Sequence, residues 1–235
     1  MKILNDEQTF DLIANSNCSV SRFGDGEVMC FMLGNYGIKN DIFEQEYSDK
    51  LRYELVETFF CSDPEMLLCT YPCLTREEFD RLVKFTNPGS VELAEKLNAA
   101  FNYLFNSQGM QLPEMIGDAF CFRKNRCTQE DLDSHKTLLI DYFSDKQLLL
   151  VSSDLEDINL DYFNCKESDH ILIPGSNAYE SIDDIETQII SKCKESEYDI
   201  VLIAAGPTAT VLVNRLLKRK IRSFDVGQIK RWCKE

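Results

Sequence analysis

The chain has 235 residues, 44% of them hydrophobic, and a formal charge of −15. That length can bury a substantial core in one large domain or two small ones. The carboxylate excess argues against a nucleic-acid backbone or an anionic membrane surface as the main partner. The opening Met1-Lys2-Ile3-Leu4-Asn5-Asp6 turns acidic before any long apolar run, so neither a signal peptide nor an integral membrane segment is expected. Ten cysteines are scattered without Cys-x-x-Cys spacing and read as reduced cytosolic thiols, which makes the cytoplasm the expected compartment. The two histidines, His135 and His170, stand outside any ligand cluster.

Asn5 followed by Gln8 predicts a helix cap, and Phe10, Leu12 and Ile13 supply that helix's buried face. A buried strand then ends at Phe23, and Gly24 breaks it into a turn. Glu27 to Leu33 reads as a short apolar helix, and Gly34 to Glu46 as a loop that can cover a site. Leu51, Leu55, Val56, Phe59 and Phe60 recur at helical spacing, and Met66 to Thr70 reads as a strand. Thr75 with Glu78 caps a helix to about Phe85, and Ser90 caps another through Leu104. Met115 to Arg123 is expected as a strand, followed by a helix capped by Thr128 and Asp131 that runs to about Phe143.

In the remaining chain, strands are expected at Gln147 to Val151, Ile171 to Ile173, Asp199 to Ala204 and Phe224 to Val226. Helices are expected from Ser181, with Asp184, to Lys192, and after Gly206 along Val211, Leu212, Leu216 and Leu217. Alternating strands and helices call for an α/β fold, a mostly parallel sheet with helices on both faces. With no repeat and no Pro-, Gly- or Ser-rich linker, residues 1–235 read as a single domain with a helical insertion at about 75–112.

In such a sheet, ligands bind beyond the carboxyl ends of the strands. The turn after Phe23 carries Asp25 and Glu27 separated only by Gly26. Hard carboxylate oxygens suit Mg²⁺ or Mn²⁺ together with substrate phosphates, and the alternative is a solvated turn. At Gly206-Pro207-Thr208, a glycine permits close approach, a proline suits the first helical turn and a helix N-terminus attracts phosphate; the alternative is an ordinary strand-to-helix connection. Neither Gly-x-Gly-x-x-Gly nor a Walker-type Gly-Lys-Ser/Thr is present there, which disfavours NAD and ATP. Arg22 and Arg123 each end a strand and can meet phosphate or pair with a carboxylate. Asp118 and Asp225 are either buried structural groups or site carboxylates, and the run Asp154, Glu156, Asp157 and Asp161 reads as a solvated face.

Two segments carry a family resemblance: Ser21-Arg22-Phe23-Gly24-Asp25-Gly26-Glu27, and Gly206-Pro207-Thr208-Ala209 with Asp225-Val226-Gly227. Gly117-Asp118-Ala119-Phe120 with Arg123, and Pro174 with Asn177-Ala178-Tyr179, add support. The chain resembles the GT-D-type glycosyltransferases of bacterial surface-glycan and glycoprotein assembly. The resemblance implies a Rossmann-like fold and transfer of glucose or a related hexose from a UDP-sugar to a saccharide or glycoprotein glycan. It also implies Mn²⁺ or Mg²⁺ at Asp25 and Glu27, with Asp225 joining them as a catalytic group. Nucleotide-sugar contacts would come from Ser21, Arg22, Phe23, Gly24, Arg123, Asn177, Gly206, Pro207 and Thr208, and a homo-oligomer is allowed.

Two stretches depart from the family pattern. Val151-Ser152-Ser153-Asp154 with Asn159-Leu160-Asp161 stands where relatives have a Val-Glu-Gly-Glu-like strand end and a Gly-Asn-Asp loop. Asp225-Val226-Gly227-Gln228, with Lys230 and Trp232, replaces Asp-Ile-Gly-His and its following acids. They keep a nucleotide-sugar-binding protein without turnover in view, and the same carboxylates allow a metal-dependent phosphohydrolase as a further alternative.

Overall fold

The computed structural model describes residues 3–4, 6–24, 26–27, 30, 45–70, 115–116, 129–154 and 163–227. The elements are β1 (Ile3–Leu4), α1 (Asp6–Ala14), β2 (Ser19–Phe23), α2 (Asp49–Phe59), β3 (Met66–Thr70), β4 (Met115–Ile116), α3 (Gln129–Phe143), β5 (Gln147–Ser152) and β6 (Glu167–Leu172). A 3₁₀ turn (Ala178–Ser181), α4 (Ile182–Glu195), β7 (Ile200–Ala204), α5 (Pro207–Leu217) and β8 (Ser223–Asp225) complete the order.

Among the described residues the strands form one eight-stranded sheet in the order β1-β4-β3-β2-β8-β7-β5-β6. Each described pairing is parallel, from Ile3 opposite Met115 at one edge to Gln147 opposite Glu167 at the other. A parallel sheet is buried on both faces, which is why Leu148-Leu149-Leu150-Val151 is an unbroken apolar run. Alternate residues nevertheless serve different layers. Phe23, Leu68, Leu149, Val151, Val201 and Ile203 pack with Leu51 and Leu55 of α2, Ile185 and Ile189 of α4 and Leu212 of α5. Val20, Leu148, Leu150, Leu202 and Phe224 pack with Phe10 and Ile13 of α1 and Leu139 and Phe143 of α3.

The right-handed crossover rule explains this division. The connections from β2 to β3, β6 to β7 and β7 to β8 all travel toward the β1 edge, and α2, α4 and α5 share one face. Those from β1 to β2 and β4 to β5 travel the other way, placing α1 and α3 on the opposite face. Burying an aliphatic or aromatic side chain contributes ~1.5–3 kcal/mol, so these two layers dominate the stability of the sheet.

Several expectations change. The outer strand begins at Glu167, not Ile171, because an edge strand can carry polar residues such as Ser168 and Asp169 on its exposed positions. The helix expected from Ser181 begins at Ile182 and continues to Glu195. Ser181 makes no side-chain cap, because a 3₁₀ turn already feeds the chain into the helix. Strand β1 was not anticipated, since two residues carry no periodicity. By contrast Ser48, also unanticipated, caps α2 by accepting a 3.1 Å bond from the Leu51 amide. The insertion at about 75–112, most of the helix expected from Glu27 to Leu33, and Arg123 lie outside the described residues. Among the described residues no helix is long and apolar enough to cross a membrane.

Candidate functional site

The site is built upward from the end of β2. Phe23 is buried and meets Phe59 edge-on at 5.1 Å, so its ring belongs to the core. The buried Ser21 hydroxyl donates to the Thr210 carbonyl at 3.2 Å and ties the strand to α5. Both side chains therefore support the turn from beneath, and a nucleotide contact from either residue falls to its backbone.

Beyond Phe23 the turn folds back on itself. Glu27 is only 5% exposed, and its Oε2 accepts a 2.8 Å bond from the Gly24 amide. A Cβ on Gly24 would lie 3.0 Å from that oxygen and 3.2 Å from Arg22 Nη1, so a larger residue would have to displace one of these two side-chain ends slightly. Gly227, just past β8, has φ of +53°, and a Cβ there would approach Arg22 Nη1 to 2.8 Å. The Arg22 guanidinium thus lies close to both Gly24 and Gly227, and at Gly227 the left-handed backbone itself favours glycine. Asp25 lies outside the described residues.

Asp225 is within electrostatic reach of this guanidinium and is 2% exposed. Its Oδ2 lies at hydrogen-bond distance, 2.9 Å, from Thr210 Oγ1, and its Oδ1 accepts from the Gly227 amide at 3.1 Å. Burial pushes its pKa up to about 8; Arg22 opposes the shift and Glu27 adds to it. At neutral pH the group is mostly a neutral acid, suited to holding Thr210 and the Gly227 turn and unsuited to removing a proton. Burial likewise pushes the Cys30 thiol up to about 12, so it is an inert core group beside Glu27.

Gly206 has φ 55° and ψ −141°, with nothing within 4 Å of an added Cβ, so conformation and not crowding demands glycine there. Pro207 opens α5, whose first turn contains no acidic residue to offset the helix's positive end. The buried Thr208 hydroxyl points away from solvent and donates to Gln45 Oε1 at 3.4 Å. Asn177 adopts the left-handed conformation at φ 52°, and its Oδ1 accepts a 2.7 Å bond from the Glu46 amide. Gln45 Oε1 also receives the Tyr179 amide at 3.1 Å. Sequence reading missed Gln45 and Glu46, whose partners are far along the chain and leave no periodic signal.

At the end of β5, Ser152 Oγ lies 2.9 Å from His170 Nε2 and donates to the Asp154 carbonyl at 3.0 Å. Burial lowers the His170 pKa, keeping the ring neutral near neutral pH. His135 packs edge-on against Phe10 at 5.3 Å inside the core, and this placement explains its isolation in the sequence. Among the described residues no group of three or more His, Cys, Asp or Glu side chains is gathered as a metal cluster. Glu27 nevertheless offers the hard oxygen that Mg²⁺ or Mn²⁺ prefers, at a strand end where a ligand would be expected.

The model of the family described as Glycosyltransferase GT-D fold matches residues 20–232. A curated protein of Streptococcus gordonii, "Probable glycosyl transferase Gly", is 25% identical over 242 residues, covering 97% of this chain. The chain spans only 32% of that relative's length. Among solved structures, the domain of unknown function 1792, described as having a distinct glycosyltransferase fold, superposes with a TM-score of 0.80 at 22% identity. That match covers 98% of this chain and 79% of the other. A protein described as a new glycosyltransferase of Streptococcus sanguinis, containing the same domain, gives a TM-score of 0.75 at 21% identity, over 98% of this chain and 82% of its own. At these identities the structural matches speak for the fold, whereas the family model spans both strand-end turns and most of the sheet. The chain belongs to the GT-D-fold glycosyltransferase family.

Proposed function

We propose that the protein transfers a hexose, glucose or a close relative, from a UDP-sugar to a saccharide or glycoprotein glycan in surface-glycan or glycoprotein biosynthesis. Mn²⁺ or Mg²⁺ would be held by Asp25 and Glu27. The observation carrying this reading is the convergence of the buried Glu27 carboxylate and the Arg22 guanidinium at Gly24, with the buried Asp225 within electrostatic reach of both. The α5 N-terminus, free of acidic residues in its first turn, is tied to this cluster through Thr210. Hard oxygen, guanidinium and helix-end amides are the groups that accommodate a metal-bound diphosphate. A bound cation supplies Lewis acidity that offsets negative charge on the departing UDP. Arg22 orients and neutralises phosphate oxygens, the helix-end amides receive them, and neutral Asp225 holds the Gly227 turn against Arg22.

Glu27→Gln keeps the shape of the turn and removes its charge. Turnover of a UDP-hexose panel with Mn²⁺, read as UDP release, is expected to fall ~100-fold or more, the scale of losing electrostatic stabilisation at the reacting centre. Undiminished turnover by this variant without metal would refute the reading. A second reading, nucleotide-sugar binding without turnover, draws on Ser152, whose hydroxyl is engaged by Asp154 and His170 at a strand end where the family pattern leads to a carboxylate. UDP release coupled to a glycosylated product excludes it.

A further inference from the structure

We infer that Gln45 is a positioning residue that sets the α5 N-terminus against the Asn177 turn, and through them the diphosphate end of the donor site. This inference rests on the UDP-sugar reading above. Gln45 is 5% exposed, and both its carboxamide oxygen and its nitrogen are hydrogen-bonded. The Tyr179 amide at 3.1 Å can only donate, so the facing atom is the oxygen. The same oxygen then receives the Thr208 hydroxyl at 3.4 Å, while Nε2 donates to the Glu46 carbonyl at 3.1 Å. One residue on, the Glu46 amide donates to Asn177 Oδ1 at 2.7 Å.

The topology gives this clasp its purpose. Tyr179 and Asn177 follow β6, Thr208 follows β7, and β5 separates those strands in the sheet. No ladder joins the β6 and β7 loops directly, and strands two places apart lie ~10 Å from one another. Gln45 bridges them from the connection that leaves β2, the connection that begins with Gly24 and Glu27. It therefore gathers the outgoing loops of β2, β6 and β7 at one buried point. Asn177 makes no side-chain cap to its own 3₁₀ turn, because its oxygen is given to Glu46. Gln45 supplies the acceptor that this turn's Tyr179 amide requires. Thr208 is thereby assigned as the clasp's second half, a support for the helix end and not a side-chain ligand of the nucleotide.

The test compares wild type, Gln45→Leu, Thr208→Val and the double variant. Calorimetry with UDP and Mn²⁺ is set beside ligand-observed NMR with uridine, which lacks phosphate. Losing a buried hydrogen-bonded clasp is expected to weaken UDP by about tenfold in Gln45→Leu and leave uridine within about twofold. Thr208→Val should weaken UDP less, and the double variant should be no worse than Gln45→Leu, since both remove one contact. Equal UDP affinity in Gln45→Leu and wild type overturns the inference, as does parallel weakening of UDP and uridine, which marks general destabilisation. Additive losses overturn the assignment of Thr208. Failure of wild type to bind UDP with Mn²⁺ overturns the functional reading and the inference with it, and only that outcome removes both.

Discussion

Two arginines sit among carboxyl groups in this molecule, and their surroundings act in opposite directions. Arg215 on α5 meets Glu54 of α2 at 2.6 Å, and Asp183 and Glu186 of α4 at 2.6 and 3.2 Å. Tyr179 donates its hydroxyl to the same Glu54. This network opens to solvent at Asp183, and the Arg215 hydrogen bond lowers that carboxyl's pKa. Arg22 faces Glu27 and Asp225 at the strand ends, yet burial there outweighs it and Asp225 is pushed up to about 8. Direct contact with solvent access keeps carboxylates ionised, whereas desolvation with a second acid nearby favours the proton. The first cluster pins three helices; the second keeps a carboxyl neutral beside groups that a cation and a diphosphate can use.

The sharpest way to break the comparison is Arg215→Ala. It leaves Glu54 and Glu186 half-buried without their cation and is expected to cost ~2 kcal/mol, below the usual figure for a buried pair because solvent reaches the network. Urea unfolding reads this loss, and UDP affinity should be unchanged; a drop in affinity would join the two clusters into one. Gly227→Ala comes next, forcing a Cβ into the left-handed region and against Arg22. The expected cost is ~1–2 kcal/mol, and unlike Arg215→Ala it should also weaken UDP with Mn²⁺.

The last test varies pH. Asp225 is raised from 3.8 to about 8, so across that interval the folded protein holds a proton that the unfolded chain has released. Its contribution to stability therefore falls as pH rises through this window and levels above about 8. Asp225→Asn removes the titration. The melting temperature of the variant relative to wild type is expected to climb across that interval, and a flat difference would show that Asp225 does not carry the proton.

The sequence reveals most where a single segment contains its own explanation. Strands β5 and β7 are continuous apolar runs, α5 announces itself through Gly206, Pro207 and an apolar stripe, and the Gly24 turn is marked by its small residues and acids. It reveals least where one segment answers another. Gln45 and Thr208 are 163 positions apart and join through a single oxygen, and no local pattern encodes that. The polar first half of β6 resembles a loop because, among the described residues, no strand pairs with its outer side. The ligand contact at Asn177 is implied by the family resemblance, and no local pattern adds that the same left-handed residue anchors Glu46.

Thr210 shows what a count of protons adds to a map of distances. Its hydroxyl lies 2.8 Å from the Arg22 carbonyl and 2.9 Å from Asp225 Oδ2, two oxygens competing for one hydrogen. With Asp225 ionised, one of the two contacts lacks a hydrogen. With Asp225 protonated, the acid donates to Thr210, Thr210 donates to the Arg22 carbonyl, and each oxygen in the chain is served. The proton on Asp225 is thus a structural component joining β8, α5 and β2, and removing it withdraws a hydrogen bond from the strand end that carries Arg22.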